Sequence, residues 1–520
     1  MFANRTHASL PVRRVRAGSL VLAGSLAVLG LVGGALLAGP TAARGPARTT
    51  DRSARAIGRR PADPIAHIAG PWIPDDPGRA HVAGGWQQLQ WNFLPGAGVD
   101  APTAWANLIA DHRPGGKGVV VAVLDTGVAY RRWKKFRPSP DFRGTRFVAP
   151  CDLVAGKLVH GRCTDTHPLD REGHGTFVAG IIAEATNNNF GLTGLAYGAS
   201  IMPVRVLDAT GNGDASTIAR GIRYAVAHGA NVINLSLEFS IGVGAGQIPG
   251  LLGAIRYAHR HNAVIVAAAG NDSSAQVAYP ARARDVISVG STTSDRCVAD
   301  YSNVGAGLDI VAPGGGDDAN FPVNPSCHPE QNLPDLYQMT FDDPAHPNRF
   351  SFPTGWYGTS MSAAEVAAGA ALVIASGVLG AHPTPDQVLT QLERTAQPLG
   401  TTIPNSTFGY GLLDLGPATA RAAPPPTPTP TTSRTTPTPT TPPSTTVSPT
   451  TGHTAGAGAR AGFTQPVRTI STEQGACWET FVGTEPSRKR SAPVRPRLPT
   501  ITSSHRCSSA TSRIASAASP

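Results

Sequence analysis

The chain of 520 residues is long enough for one large domain with appendages, or for two to four domains of ordinary size. Its formal net charge of +10 suggests a nucleic-acid or membrane partner, but that charge lies at the two ends. Residues 1–60 carry +9 and residues 451–520 carry +6, which leaves −5 on the residues between them. The charge distribution therefore argues against a nucleic-acid-binding face in the central part of the chain.

The N-terminal segment, residues 1–43, has the pattern of an export signal. Four arginines between Arg5 and Arg16 precede an apolar run over 17–38, and small residues follow, which predicts cleavage near Ala43. The run is also close to the roughly 20 residues that span a bilayer, so an uncleaved membrane anchor is the alternative. In either case we expect the rest of the chain to be secreted or attached to the cell envelope, with membrane contact only if the segment stays uncleaved.

The central part of the chain has the pattern of an α/β domain. Residues 44–89 are rich in Arg, Ala, Pro and Gly, and we interpret them as a pro-segment or spacer. From 90 to 420, β-branched runs without polar alternation suit strands buried on both faces. Helical stretches between them predict βαβ units, hence a three-layer α/β/α domain with a mainly parallel sheet. The apolar runs are 119–125, 200–208, 231–237, 262–270 and 285–291.

The C-terminal part of the chain lacks the pattern of a folded domain. Residues 421–455 form a Pro/Thr-rich linker, which is expected to be extended. Residues 456–520 are polar and basic, with almost no apolar periodicity and no transmembrane run. They are predicted to be a disordered basic tail.

Export makes the six cysteines candidates for disulfides. Their spacings do not match a zinc site. Nearest-neighbour pairing is the simplest of the fifteen connectivities that six cysteines allow. It gives Cys151–Cys163, Cys297–Cys327 and Cys477–Cys507.

The first candidate site residue is Asp125, which ends the predicted strand in the segment VAVLDTGV. A glycine two residues later permits a tight turn, and active sites of parallel sheets collect at the carboxyl ends of the strands. An aspartate in this position also serves as an ordinary strand-end cap. The residue alone does not decide between the two roles.

The second candidate is His174, which stands between two glycines at the start of an apolar helix in DREGHGTFVAGIIA. The positive end of a helix disfavours the imidazolium, so the ring is expected to be neutral unless a carboxylate offsets the dipole. A general base must be neutral, and a buried aspartate would fix its tautomer. The alternative is a surface-loop histidine, which suits His167 and His328 better.

The third candidate is Ser360, which precedes an Ala-rich helix in the segment GTSMSAAEVAAG. Gly358 lets a substrate backbone approach, and amides of the first helical turn are placed to stabilise an oxyanion. A serine N-cap is the common alternative. A cap, however, gives no reason for the Asp125 and His174 motifs upstream.

The segments VAVLDTGV, GHGTFVAGIIA and GTSM, in the chain order Asp125, His174, Ser360, together resemble the subtilisin-like serine peptidases, the subtilase family. The resemblance runs from about Gln90 to Leu415, and the ends of the chain resemble those of actinobacterial secreted members. It implies a subtilisin-like fold and an Asp-His-Ser triad that forms an acyl-enzyme on Ser360. It also implies polypeptide substrates, a monomeric enzyme and no catalytic cofactor.

Two further segments are assigned by this resemblance. VIVAAAGND corresponds to the stretch that carries the family's oxyanion-hole asparagine, here Asn271, although an asparagine in a β-turn is equally common in isolation. NLSLEFS resembles the family's edge strand, whose backbone pairs with an extended peptide substrate. The implied substrate-binding residues are Ser236, Leu237, Glu238, Ala269, Gly270 and Asp272.

The edge strand departs from the family pattern, which usually has two glycines where this chain has Glu238 and Phe239. We expect this departure to narrow the pocket for the side chain before the scissile bond, or to change its charge. Glu238 together with Asp272 predicts a preference for a basic residue at that position.

The segment EATNNNFGLTGLA resembles the family's structural calcium loop. Calcium takes six to eight oxygen ligands. An Asn-rich turn without a metal is the alternative. The resemblance implies side-chain oxygens from Asp141, Asn188 and Gln90, and carbonyl oxygens from Thr186, Phe190 and Leu192.

The helix after Ser360 also departs from the family, which usually has proline and histidine where this chain has Ala364 and Glu365. Alanine in place of proline is expected to cost rigidity rather than chemistry. An acid is tolerated near a helix N-terminus. The second serine of GTSMS, Ser362, stands where the family usually has a small residue, so Ser360 is the predicted nucleophile.

The leading hypothesis is therefore a secreted serine endopeptidase. A second is a catalytically silent scaffold of the same fold that binds peptides or the cell envelope. A third is a processing peptidase of a secretion system, as in the mycosin branch, whose members generally end in a membrane anchor.

Overall fold

The computed structural model describes residues 70–320, 326–329 and 332–421, and the backbone of 500–502. Its strands are β1 (Val120–Asp125), β2 (Arg146–Phe147), β3 (Cys151–Asp152), β4 (Leu158–Val159), β5 (Arg162–Cys163), β6 (Ser200–Arg205), β7 (Asn212–Asp214), β8 (Val232–Leu235), β9 (Glu238–Phe239), β10 (Val264–Ala268), β11 (Ile287–Thr292), β12 (Ile310–Pro313) and β13 (Thr500–Thr502). The main sheet has the order β12-β11-β10-β8-β1-β6-β2, with β3 also paired to β6. All of its strand pairs are parallel.

The central strand β1 is buried on both faces. Val121 and Val123 belong to the core on one side of the sheet, and Ala122 and Leu124 belong to the core on the other. This burial is what an unbroken apolar run predicts. Strand β1 lies between β6 and β8, so the chain winds in both directions from it and leaves a crevice at the carboxyl ends of these strands. Asp125 is the last residue of β1 and faces that crevice region.

Helices cover both faces of the sheet. They are α1 (Ala101–Ala110), α2 (His174–Ala183), α3 (Ala215–Ala227), α4 (Pro249–Arg260), α5 (Thr359–Ser376), α6 (Pro385–Thr395) and α7 (Leu415–Thr419). The buried residues of α3 and α4 lie in one core cluster, and those of the other five helices lie in the second. The predicted three-layer α/β/α arrangement with a mainly parallel sheet is confirmed.

Helix α5 is the central helix of the larger core. In the described part of the chain it is the one helix long and apolar enough to cross a membrane, yet it is buried within the domain. It packs across β8, β10, β11 and β12. Its small residues permit this, since a Cβ at Gly369 would lie 2.8 Å from Leu415 Cδ2. The apolar run at 17–38, predicted to be a signal or anchor, lies outside the described residues.

Packing begins before the predicted domain boundary at Gln90. Trp86 is fully buried, and its ring lies 5.6 Å from that of Trp105 in α1. Trp72 packs edge-on against the same ring at 5.9 Å. The described part of the range interpreted as a pro-segment or spacer is therefore integrated into the core, and residues 44–69 lie outside the described residues.

A small antiparallel sheet lies beside the main one, in the order β7-β13-β9. Its outer strand β7 is fixed by the start of α3, because the Asp214 side chain accepts the amides of Ser216 and Thr217. The middle strand β13 comes from the range 456–520 that is predicted to be disordered. Apart from Arg421 and β13, the predicted linker and tail lie outside the described residues.

Two of the three predicted disulfides are present. Cys151 is bonded to Cys163, which joins β3 to the β4-β5 hairpin. Cys297 is bonded to Cys327. The third predicted pair, Cys477–Cys507, lies outside the described residues.

Candidate active site

Asp125 and His174 form a buried hydrogen-bonded pair at the carboxyl edge of the sheet. His174 Nδ1 lies 2.8 Å from Asp125 Oδ1, and the side chains are 2% and 0% exposed. The bond assigns the proton to Nδ1 and leaves Nε2 as the basic nitrogen. Nε2 is buried and has no hydrogen-bond partner among the described residues.

The glycines that flank His174 each have a steric reason. Gly173 adopts a left-handed backbone with φ 115°, which favours glycine. A Cβ at Gly175 would lie 2.1 Å from the Gly127 carbonyl oxygen and 3.0 Å from Asp125 Oδ1. Only glycine therefore lets the start of α2 approach the end of β1 closely enough for the pair to form.

A second carboxylate, Asp170, connects the start of α2 to the end of β1 through hydrogen bonds. Asp170 is fully buried and accepts a hydrogen bond from the Thr126 hydroxyl at 2.9 Å. It also accepts the amides of Glu172, Gly173 and Thr176 and the Thr176 hydroxyl. These bonds fix the backbone on both sides of His174 relative to its aspartate partner.

The carboxylates around His174 determine its protonation. Burial lowers the pKa of His174, but the charge and hydrogen bond of Asp125 raise it, and the charges of Glu172 and Asp170 add to that effect. The net pKa of His174 is raised to about 9. The carboxylates therefore outweigh the effect of burial, and a pKa of about 9 favours the imidazolium at neutral pH.

Ser360 and Ser362 have different environments, although both lie in the first turns of α5. The Ser360 hydroxyl donates to the Ser236 carbonyl at 3.4 Å, and the Ser236 hydroxyl donates to the Ser360 carbonyl at 2.6 Å. Ser362 instead bonds inward, to the Ser291 hydroxyl and to carbonyl oxygens of β12. Ser362 therefore has a packing role, and Ser360 remains the candidate nucleophile.

Trp356 lies between the two helices that carry His174 and Ser360. Its ring stacks on Phe177 of α2 at 4.7 Å and lies 6.3 Å from the His174 ring. Trp356 precedes Ser360 by four residues, so its contact with Phe177 connects the segment before α5 to the first turns of α2. Helices α2 and α5 also pack directly against each other.

Asn271 is oriented by the residue before the candidate nucleophile. Its Oδ1 accepts the Thr359 amide at 2.9 Å and the Thr359 hydroxyl at 3.0 Å, which fixes the carboxamide. Gly358 has a φ of 149°, a backbone conformation that favours glycine, whereas a Cβ there would be in ordinary contact with Asn271 Oδ1 at 3.6 Å. The Nδ2 group donates to Glu238 Oε1 at 3.5 Å, and its second hydrogen is left for another acceptor, as an oxyanion-hole asparagine requires.

Comparison with known proteins agrees with this geometry. The model of the Subtilase family matches residues 116–411, which include Asp125, His174, Asn271 and Ser360. The chain belongs to the subtilase family.

Characterised relatives of this subtilase are proteases. It is 33% identical over 336 residues to Subtilisin Savinase of Lederbergia lenta, covering 64% of this chain and 99% of the relative. It is 38% identical over 216 residues to Thermitase of Thermoactinomyces vulgaris, covering 42% of this chain and 68% of the relative. It is 42% identical over 195 residues to the Cell wall-associated protease of Bacillus subtilis, covering 38% of this chain but one fifth (20%) of the relative. Serine peptidase activity is thus the activity of the family to which the chain belongs.

A solved structure gives the same fold. The match described as a protease from Pseudoalteromonas arctica PAMC 21717 has a TM-score of 0.53 and 30% identity. It covers 67% of this chain and 98% of that one. The subtilisin-like fold inferred from the motifs is confirmed.

The two residues that replace the usual glycines of the edge strand both point into the protein. Phe239 is fully buried in the core and does not narrow the cleft. Glu238 is buried, and its carboxylate accepts the Asn271 amide at 3.0 Å. A Cβ at Gly270 would lie 2.2 Å from Glu238 Oε2, so Gly270 makes the room for this carboxylate. Burial, then the charge of exposed Asp272, raises the pKa of Glu238 to about 7.

The other residues of the predicted substrate set form the framework of the cleft. The Ala269 carbonyl accepts the Ala278 amide at 2.8 Å and the Asn303 carboxamide at 3.1 Å. The Gly270 amide donates to the Thr359 hydroxyl at 3.2 Å. Leu237 is 1% exposed. Contact of these residues with substrate stays a prediction.

Glu365 is a buried acid in the second turn of α5, not an exposed charge at the helix end. It is fully buried, and its Oε1 accepts the Asn92 carboxamide at 2.6 Å. Burial raises its pKa well above the usual value, against the smaller lowering by Asn92. Glu365 does not contribute to the raised pKa of His174.

The predicted calcium residues are only partly brought together. The Asp141 carboxylate accepts the Leu192 amide at 2.8 Å, and the Asn188 carboxamide bonds to it. Gln90 is turned away, because its Oε1 accepts the Thr193 amide and its Nε2 donates to the Thr193 carbonyl. Phe190 lies between Asn188 and Leu192 in the chain, and Thr186 lies two residues before Asn188. Gln90 therefore does not fit the predicted ligand set.

Two acids that the sequence interpretation did not include, Asp76 and Glu184, surround the same loop. Asp76 accepts the amides of Asn187 and Asn188. Burial raises the pKa of Asp76 to about 6 and that of Asp141 to about 8, and burial also raises the pKa of Glu184. The charges of neighbouring acids raise these pKa values further. One carboxyl oxygen of Asp141 and one of Glu184 are buried without a hydrogen-bond partner in the described structure. A bound cation would neutralise such a cluster of acids.

Several positioning residues at the catalytic edge were also missed from the sequence. They are Asp170, Glu172, Trp356 and Thr359. All four stand within four residues of His174 or Ser360, so proximity to the motifs was the available signal. Their polar contacts depend on backbone geometry that the amino-acid sequence does not specify.

The raised pKa of His174 predicts an alkaline activity profile. Because the base must be neutral, kcat/KM is expected to increase as pH rises through about 9. Glu172→Gln removes one of the charges that stabilise the imidazolium, so kcat/KM at pH 8 should rise about two- to five-fold relative to the parent. The measurement is a pH profile of kcat/KM on one peptide. Asp165→Asn, which alters an acid in the same loop that bonds His167 instead, should leave the profile unchanged. An inflection near 6.5 in the parent contradicts this assignment.

Proposed function

We propose that this chain is a secreted serine endopeptidase that cleaves polypeptides through an acyl-enzyme on Ser360. The observation that carries the proposal is the buried Asp125–His174 pair, whose Nε2 has no hydrogen-bond partner among the described residues, in a chain whose family and named relatives are proteases. Asp125 holds the tautomer and stabilises the imidazolium, and His174 serves as general base and then as general acid.

The proposed reaction follows from these positions. Ser360 Oγ attacks the peptide carbonyl while His174 Nε2 accepts its proton. The developing oxyanion is stabilised by Asn271 Nδ2 and the Ser360 amide. His174 then protonates the leaving amine, and water repeats the sequence to release the acid. No cofactor takes part in this scheme.

Covalent labelling tests the nucleophile. A fluorophosphonate probe is expected to label the full chain, and Ser360→Ala should abolish both labelling and peptide hydrolysis. Ser362→Ala is the matched control, since that serine bonds inward and its loss should leave labelling intact. Asn271→Ala should be labelled but lower kcat about 100- to 1,000-fold. A folded parent that takes no label favours the scaffold hypothesis instead.

We also propose that Glu238 and Asp272 favour a basic residue before the scissile bond. Ionised Glu238 would attract Lys or Arg, and its pKa of about 7 makes that attraction pH-dependent. The ratio of kcat/KM for matched peptides with Lys and Leu at that position cancels the titration of His174. The ratio should fall about tenfold between pH 8.5 and pH 5.5, and about tenfold in Glu238→Gln at pH 8.5. Cleavage of an unbiased library at pH 8.5 without a Lys or Arg preference rules the proposal out.

Calcium is proposed as a structural ion at the loop of residues 186–192, held by Asp141 with Asp76 or Glu184. Without a cation, acids of raised pKa lose stability as pH rises through those values, and a bound cation removes this loss. At pH 9, chelation should lower Tm by at least about 2–4 °C, whereas at pH 5 it should have little effect. Asp141→Asn should lose the response and Asp272→Asn should keep it. An equal Tm in chelator and in calcium at pH 9 contradicts the site.

Extracellular or cell-envelope location is proposed from the export pattern of residues 1–43, and one named relative is itself described as cell wall-associated. Monomeric action on polypeptides is proposed from the single domain that carries every candidate residue. The origin in an actinobacterium stays a prediction.

A further inference from the structure

Strand β13 lies between β7 and β9, and β9 belongs to the segment predicted to pair with a peptide substrate. Its backbone is antiparallel to both: Thr502 is opposite Glu238 of β9, and Thr500 is opposite Asp214 of β7. An edge strand offers unpaired amides and carbonyls to one further strand. In this structure that position on β7 and β9 is filled by the chain's own C-terminal segment.

Strand β13 runs toward Ser360, as the part of a peptide substrate on the N-terminal side of the scissile bond would. Strand β9 begins two residues after Ser236, whose carbonyl accepts the Ser360 hydroxyl at 3.4 Å, and then leads away from it. Because β13 is antiparallel to β9, it runs toward Ser360. A strand continued in this register would have its second residue beyond Thr502 opposite Ser236.

Strand β9 offers its backbone to β13 because its side chains are engaged elsewhere. Phe239 is buried in the core, and the Glu238 carboxylate is bonded to the Asn271 amide. Recognition through main-chain hydrogen bonds tolerates many sequences, so a Thr-Ile-Thr segment needs no special side-chain pocket.

The segment between Arg421 and Thr500 is long enough for Thr500–Thr502 to reach β7 and β9. Seventy-eight residues separate Arg421 from Thr500, and a coil of that length has a root-mean-square span of about 50 Å. A domain of this size has a radius of gyration of about 20 Å. Charge also favours the placement, since residues 451–520 carry +6 while Asp214, Glu238 and Asp272 lie on or beside the cleft strands.

We propose that Thr500–Thr502 is an intramolecular ligand of the cleft, which blocks access of peptide substrates to Ser360 while it is bound. The inhibitory consequence rests on the proposed peptidase function, but the occupancy itself does not. A tethered segment binds at an effective concentration in the millimolar range, so even a weak strand contact keeps the cleft largely filled.

Hydrogen exchange tests the occupancy without relying on activity. The full chain carrying Ser360→Ala is compared with the same chain carrying Ile501→Pro in addition, because proline removes a strand amide and cannot continue the ladder. Peptides that cover β7 and β9 should exchange at least about tenfold faster in the proline variant. Ile470→Pro is the matched control, since Ile470 also follows a threonine in the tail, and it should leave exchange unchanged. Equal exchange in all three chains overturns the proposal.

Labelling of the active forms separates this proposal from the proposed function. With Ser360 present, Ile501→Pro should react with the fluorophosphonate about tenfold faster than the parent, and Ile470→Pro should react as the parent does. If Ile501→Pro exchanges faster but no form of the protein is labelled, cleft occupancy is supported and the peptidase function is contradicted. If the parent and Ile501→Pro are labelled at equal rates and exchange equally, cleft occupancy is contradicted and the peptidase function is supported.

Discussion

The buried carboxylate of Asp170 is the constraint on which the catalytic edge depends. Five hydrogen bonds converge on it from the residues after β1 and from the first turn of α2. A buried charge is tolerated only when its acceptor sites are filled, so the loop has little freedom to rearrange around it. The 2.8 Å contact between Asp125 and His174 follows from that rigidity rather than from the pair alone.

The same arrangement sets the electrostatics of the site. Three acids around one imidazole offset the effect of burial, which would otherwise lower its pKa. In the proposed mechanism this arrangement gives a base that is protonated at neutral pH, but it also stabilises the imidazolium that would form during acylation. The proposed role of Asn271 has a similar cost, because the Glu238 carboxylate lies beside the amide of the proposed oxyanion donor.

Much of this molecule was predictable because its signals are local. The β-branched run that ends at Asp125 predicts a doubly buried strand, and the structure has that strand. The glycines beside His174 were noted in the sequence, and the structure gives a steric reason for each. The Gly-Thr-Ser-Met register predicts Ser360 as the nucleophile, and that role stays a prediction. Such features depend on periodicity and sterics within a few residues.

What was missed depends on contacts between distant segments. Gln90 has the residue type of a calcium ligand, but its carboxamide is committed to Thr193, and Asp76 from the preceding segment reaches the loop instead. Phe239 was expected in the cleft and lies in the core, because strand direction decides which way a side chain points. A three-residue strand in a polar tail has no periodicity to detect, so β13 was not predictable.

The hydrogen bond between Asn92 and Glu365 links the segment before α1 to the helix that carries the candidate nucleophile. Helix α5 has alanine where the family usually has proline, and a buried acid in its second turn is held by this residue far upstream. A cut before Trp72 keeps this bond, whereas a cut beyond Asn92 removes the hydrogen-bond donor of a buried carboxyl group. N-terminal processing beyond Asn92 would therefore destabilise the helix on which Ser360 lies.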